Sequence, residues 1–163
     1  MPLQISPCLW FDGVAEEAVN FYISIFKDGK ITQIQRYGEA GHEIHGQKAG
    51  TVKVIAFELN GQSFSAINGG PLFKFNEAIS FQIECADQAE VDHYWEKLTE
   101  GADPNRQRCG WVADKFGVCW QVVPKALKEM LSDPDPAKEQ RTFEAMMKMK
   151  KLDIAALKCA FDG

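Results

Sequence analysis

Five cysteines and three histidines are the side chains of this 163-residue sequence best suited to nucleophilic or metal chemistry, and their spacing favours neither. Cys8, Cys85, Cys109, Cys119 and Cys159 are odd in number and widely spread, and no pair has zinc-type spacing. A thiolate nucleophile needs a base or a positive field, and no histidine lies near Cys8 in sequence. Each cysteine is therefore expected as a small buried hydrophobe with a reduced thiol, as in a cytoplasm. His42 and His45 fall in a glycine-rich stretch, Gly38 to Gly50, expected as a solvated connection, with a mobile cover over a site as the alternative. His93 is expected on the surface of a helix beside Tyr94 and Trp95. The remaining candidates are neutral polar groups and aromatics on strand-like segments.

Those segments belong to a chain with 45% hydrophobic and 25% charged residues, ordinary for a globular protein. The net charge of -5 and the lack of a basic run argue against a nucleic-acid partner. No signal peptide is expected at the N-terminus, and no apolar stretch approaches membrane-spanning length.

Two stretches follow one plan. In the first, an apolar run from Pro7 to Phe11 ends at Asp12-Gly13, and a helical pattern follows with Ala18, Phe21, Tyr22 and Ile25 on one face. In the second, the strand pattern Ser80 to Cys85 ends at Asp87, and a helix follows with Val91, Tyr94, Trp95 and Leu98 at the same spacings. Strand-like runs come next in each: Lys30–Tyr37, Thr51–Leu59 and Gln62–Ile67, then Trp111–Ala113 and Val118–Val123. Asn60-Gly61 marks a hairpin. A strand near Asp103 to Arg108 is expected to be weak because of Pro104. The spacing thus predicts a tandem β-α-β-β-β unit over 1–72 and 73–124. A helical tail over 125–163 follows, with helices at 124–131 and 137–149, the latter turning Phe143, Met146 and Met147 to a partner surface. Asp135 and Asp153 are the expected caps.

Alternation gives each strand a greasy face for the helix and a mixed far face. The far faces carry Ser6, Cys8 and Trp10; Ser63 and Ser65; Ser80, Gln82 and Glu84; and Cys119 and Gln121. Trp111 reads as core or site wall, and Trp120 as core. Such a sheet either turns its mixed side to water or lines a ligand cavity. Trp10 and Cys8 favour the cavity, because fully solvated faces rarely carry them.

Several motifs carry a resemblance. They are Ile5-Ser-Pro-Cys-Leu-Trp-Phe-Asp-Gly with Glu16-Glu-Ala, Phe21-Tyr22 and Phe26; Ile67-Asn-Gly-Gly-Pro71; Val91-Asp-His-Tyr-Trp95; and Cys109-Gly-Trp-Val-Ala-Asp-Lys-Phe-Gly-Val-Cys-Trp-Gln-Val-Val-Pro124. Together they resemble the PhnB-like, or 3-demethylubiquinone 3-methyltransferase-like, branch of the glyoxalase/bleomycin-resistance (vicinal-oxygen-chelate) superfamily, over nearly the whole chain. The resemblance implies an α+β fold in which paired modules form a curved mixed sheet around a cavity, often completed by a homodimer. It also implies a divalent metal held by the first and last strands of each module. The matching positions are Ser80 and Gln121 in the second module, and Ser6 or Cys8 with Ser65 in the first. Such neutral groups are poor ligands for a dication, so neither a metal nor another cofactor is expected.

The leading expectation is a metal-free homodimer that binds a small, partly apolar molecule, with Cys8, Trp10, Ser65, Asn68, Ser80, Gln82, Trp111 and Gln121 lining the site. Gln121 is the leading ligand-facing residue, and Asn68 serves either the turn or the cavity mouth. One alternative is a metal-dependent lyase, isomerase or dioxygenase that recruits His42, His45 or Glu84. Another is an interaction protein working through the tail helix, with a vestigial cavity.

Overall fold

The computed structural model describes Leu3 and residues 5–163. The chain divides into two compact units, the second running from Phe75 to Gly163. The first contains β1 (Cys8–Phe11), α1 (Ala15–Ile25), β2 (Lys30–Arg36), α2 (His42–His45), β3 (Val52–Leu59) and β4 (Gln62–Asn68). The second contains β5 (Phe81–Cys85), α3 (Gln88–Thr99), a single 3-10 turn (Pro104–Arg106), β6 (Gln107–Arg108), β7 (Trp111–Ala113) and β8 (Cys119–Pro124). The tail adds α4 (Lys125–Leu131), α5 (Pro136–Met146) and α6 (Ile154–Asp162).

Each unit forms its own mixed four-stranded sheet, ordered β1-β4-β3-β2 in the first and β5-β8-β7-β6 in the second. The repeat read from the sequence is therefore a repeat of topology. The first strand of each unit pairs parallel with the last, and the middle strands are antiparallel. Parallel pairing requires a crossover, which α1 and α3 supply at the start of each unit.

In the first unit Leu9, Phe11, Ile55, Phe57, Phe64 and Ala66 are buried on one side of the sheet, under α1. The buried stripe of α1 is Ala15, Ala18, Val19, Tyr22 and Ile25. Val19 thus takes the place expected for Phe21, which is only half-buried. Val19 is four residues from Ala15 and three from Tyr22, and Phe21 is three from Ala18 and four from Ile25, so spacing alone could not choose between them. Asn60 and Gly61 both have positive φ, 47° and 76°, the twist of a two-residue hairpin that matches its strands.

In the second unit Val91, Tyr94, Trp95 and Leu98 of α3 are buried as the spacing predicts, and Ile83, Val112, Trp120 and Val122 are buried on the sheet. The Asp87 side chain accepts from Glu90 N–H at 3.0 Å, and Glu90 Oε2 accepts from Ala86 N–H at 2.8 Å, a reciprocal cap for α3. Asp135 and Asp153 cap α5 and α6 through Ala137 and Ala156 N–H. Val123, Leu127, Met130, Leu152 and Leu157 form a separate cluster that joins the tail to β8.

Three expectations are corrected, and the weak strand expected near Asp103 to Arg108 is present as a short one. The segment 38–50 is not all loop, because α2 forms one helical turn between glycines of positive φ. Asp103 to Arg108 forms the 3-10 turn and then only two strand residues, because Pro104 has no N–H for a ladder. Of the five cysteines only Cys85 and Cys119 are buried; Cys8 and Cys159 are exposed, and Cys109 is intermediate. The helix that holds Met146 ends there, three residues earlier than expected, and Met146 packs on the tail cluster while Phe143 and Met147 are exposed. Among the described residues no helix is long and apolar enough to cross a membrane.

Candidate ligand-binding site

Parallel pairing of β5 with β8 sets Gln82 opposite Gln121, and antiparallel pairing of β8 with β7 sets Gln121 opposite Trp111. These residues share the sheet side away from the buried stripe of Ile83, Val122 and Val112. Gln121 Nε2 donates to Ser80 Oγ at 2.8 Å, and Gln82 Nε2 approaches Gln121 Oε1 at 3.5 Å. Four of the residues read from the sequence therefore lie together: Ser80, Gln82, Trp111 and Gln121. Gln121 and Ser80 are half-buried and Gln82 is exposed. The Ser80 hydroxyl, already an acceptor, keeps its own proton to donate. Glu84 lies further along the same side of β5 and is paired to Lys128 at 2.5 Å, which holds its carboxyl below the usual range.

The corresponding face of the first unit is different. Cys8 stands opposite Ser65, and Trp10 opposite Ile67, across β1 and β4. Trp10 Nε1 donates to Gly70 O at 2.8 Å, and Phe73 meets its ring edge-on at 4.9 Å. Gly69 lies so close that a Cβ there would sit 2.2 Å from the Trp10 ring. Around Trp10 this face is apolar, with the indole N–H already engaged, while Ser65, Ser63 and Glu58 share it farther along β4 and β3.

Asn68 departs from its expected place at a cavity mouth. It is 5% exposed and lies on the helix side of β4. Its Oδ1 accepts from Ala15 N–H at 2.9 Å and its Nδ2 donates to Val52 O at 3.0 Å. Val14, which precedes α1, offers no side-chain cap, so Asn68 caps that helix from 53 residues away. Tyr37 Oη donates to the Asn68 carbonyl at 2.8 Å and fixes the same corner. In the second unit the equivalent fixing residue is Asp114, 4% exposed. Its carboxylate accepts from Phe116 N–H, Val118 N–H and Trp120 Nε1 at 2.8, 3.1 and 2.9 Å.

Burial pushes the Cys85 thiol up to about 12 and raises that of Cys119, so neither is a thiolate at neutral pH. His45 has both ring nitrogens engaged: Nδ1 accepts from Gln47 N–H at 3.0 Å, which leaves Nε2 to donate to Ala40 O at 3.2 Å. His93 is exposed, as expected. Among the described residues no three of His, Cys, Asp and Glu are grouped to hold a metal ion. The positions that the resemblance assigns to a metal do not fit one. Ser80 offers a hydroxyl that already accepts from Gln121, Gln121 offers one neutral amide oxygen, and Cys8 and Ser65 add only a thiol and a hydroxyl.

A hollow that sequence reading missed lies at the free edge of the second sheet, walled by Arg106, Arg108, Cys109, Trp111, Met146 and Met147 among others. Its residues are scattered over 77–147, so only the register of β6 with β7 and the end of α5 bring them together.

The family model described as 3-demethylubiquinone-9 3-methyltransferase matches residues 3–123. A PhnB protein from Bacillus cereus is 36% identical, with a TM-score of 0.64, over 75% of this chain and 99% of its own. Protein PA1353 from Pseudomonas aeruginosa is 21% identical, with a TM-score of 0.59, over 76% of this chain and 98% of its own. The fosfomycin resistance protein FosX from Mesorhizobium loti shares the fold at 14% identity, with a TM-score of 0.54, over 82% of this chain and 99% of its own. No curated protein matches.

Proposed function

The chain belongs to the 3-demethylubiquinone-9 3-methyltransferase family, in the PhnB-like branch of the vicinal-oxygen-chelate superfamily, and from that premise we propose that it is a small-molecule-binding protein, acting as a cytoplasmic homodimer without a metal. Its ligand lies against the Ser80–Gln121–Gln82 face of the second sheet. The observation that carries this reading is the bond from Gln121 Nε2 to Ser80 Oγ, which places two hydroxyl- and amide-bearing side chains side by side with Trp111 adjacent. A half-buried amide and hydroxyl that bond to each other have capacity left for a ligand's polar atoms, and an indole beside them offers an apolar wall.

The family's name does not transfer as an activity. Methyl donors of the dinucleotide-like type sit on a glycine-rich strand-to-helix turn, and here β1 leads into α1 through Asp12-Gly13-Val14, with one glycine. The metal-dependent alternative finds little support: His45 is spent within its own turn and Glu84 on Lys128.

The test is a fragment screen read by two-dimensional NMR, followed by titration of the hits. Hits are expected to shift the side-chain amide signals of Gln121 and Gln82, and Gln121→Leu is expected to weaken them roughly tenfold, the effect of one hydrogen bond with its partner left unpaired. Hits that leave both amides unmoved and bind Gln121→Leu equally well would remove the reading.

A further inference from the structure

The hollow at the free edge of the second sheet has a volume of about 470 Å³, within the range of small-molecule pockets. It is built, not incidental. Cys109 and Gly110, both at positive φ, donate their N–H groups to Met149 O and Lys150 O at 2.8 Å each. Lys150 Nζ reaches back to Pro104 O at 2.6 Å. These bonds pin the segment after α5 against the β6–β7 turn, and Met146 and Met147 line the hollow with Trp111 and Arg108.

Its charges sort into one that is matched and one that is not. Arg106 holds Glu77 through Nε at 2.7 Å and Nη2 at 2.5 Å, which keeps that carboxyl below its usual range and cancels the first guanidinium. The Arg108 guanidinium has no hydrogen bond or ion pair among the described residues, and the Trp111 indole N–H has no partner there either. The two residues are direct neighbours across β6 and β7 and share a side of the sheet. The remainder of the wall is the Asn105 and Gln107 amides and the sulfur-bearing Cys109, Met146 and Met147. We propose that this hollow binds a small aromatic carboxylate, with its ring between Trp111 and the methionines and its carboxylate on Arg108 and the Trp111 N–H. One unmatched guanidinium calls for one negative charge, and its planar fork fits a carboxylate with two parallel bonds. A dianionic phosphate would leave a charge unmatched beside Glu77. Ser80, Gln82 and Gln121 do not line this hollow, and Trp111 is the residue it shares with the sheet-face reading.

Naphthalene-2-carboxylate and its neutral analogue naphthalene-2-carboxamide serve as probes, titrated into full-length protein carrying methyl-labelled methionine. The carboxylate is expected to shift the Met147 methyl signal saturably and to bind at least tenfold more tightly than the carboxamide. Arg108→Gln, a change at an exposed side chain, is expected to weaken the carboxylate roughly tenfold and leave the carboxamide unchanged, as loss of a charge-assisted bond requires. Equal affinity for the two probes, or no effect of Arg108→Gln, would overturn the assignment. A carboxylate that shifts the Gln121 amide but not Met147 would also overturn it while leaving the sheet-face reading intact, and a probe that shifts neither at millimolar concentration would remove this pocket alone.

Discussion

The outer faces of the two sheets occupy the same place in the same topology, yet they carry different chemistry. In the first unit Trp10 gives its N–H to Gly70 O, Phe73 stands against its ring, and Ile67, Val54 and Ala56 continue the surface before Ser65, Ser63 and Glu58. In the second unit Gln121, Gln82 and Ser80 bond chiefly to one another. Each unit also has one buried polar residue that fixes the frame: Asn68 ties the start of α1 to β3, and Asp114 clamps the β7–β8 turn to Trp120. The repeat supplies the frame twice, and the far faces differ in how their polar groups are paired.

The comparison is broken most severely at the frame. Asp114→Ala leaves two backbone N–H groups and one indole N–H without their acceptor, and is expected to lower stability by about 3–5 kcal/mol in urea unfolding. Asn68→Ala strands Ala15 N–H and Val52 O and should cost about 2–3 kcal/mol. Its signature is faster hydrogen exchange at the first turn of α1, with α3 unchanged. If the two losses came out equal and spread over both units, the division of labour described here would be wrong.

A smaller effect sharpens the contrast between the faces. Gly69→Ala drives a methyl into the Trp10 ring, which its hydrogen bond and Phe73 hold in place, at a cost of about 1–3 kcal/mol. Trp10 fluorescence should change while the Gln121 side-chain amide signals stay where they are.

The smallest effect is in pH dependence. Glu77, Glu84 and Asp92, all in the second unit, have carboxyl groups lowered first by hydrogen bonds from Arg106, Lys128 and Lys151. Groups so depressed add stability above their unfolded values of 4.5, 4.5 and 3.8 and lose it as pH falls through the lower folded values. In the first unit Lys30 is raised by its bond to Glu58, so its contribution is full below 10.5 and fades only as pH rises past the raised value. Mild acid should therefore speed hydrogen exchange in the second unit before the first, by a small margin, because exposed pairs contribute little. Earlier loosening of the first unit would contradict this.

Much of the frame was legible in the sequence because it is local. Alternation located the strands, the spacing of Val91, Tyr94, Trp95 and Leu98 located α3, and Asn60-Gly61, Asp135 and Asp153 marked a hairpin and two caps through chemistry confined to a few residues. The cluster of Ser80, Gln82, Trp111 and Gln121 was legible because strand parity puts them on one side. What was not legible depends on distant partners. Asn68 looked like a turn residue because its two partners lie 53 and 16 positions away. Cys8 looked buried because its far face reads as the lining of a cavity, and in its own unit that side of β1 leaves the thiol exposed. Arg108 lay in a polar run that marked only a weak strand, and its neighbours Met146 and Met147 come from the tail.

The most direct measurement is calorimetric titration of the purified protein with manganese, nickel, zinc and iron(II) ions, with Gln121→Leu in parallel. Neutral side chains at Ser80 and Gln121 should give no binding tighter than about millimolar, and no difference between the two proteins. One ion per chain held at micromolar affinity or better, and lost in Gln121→Leu, would contradict the account.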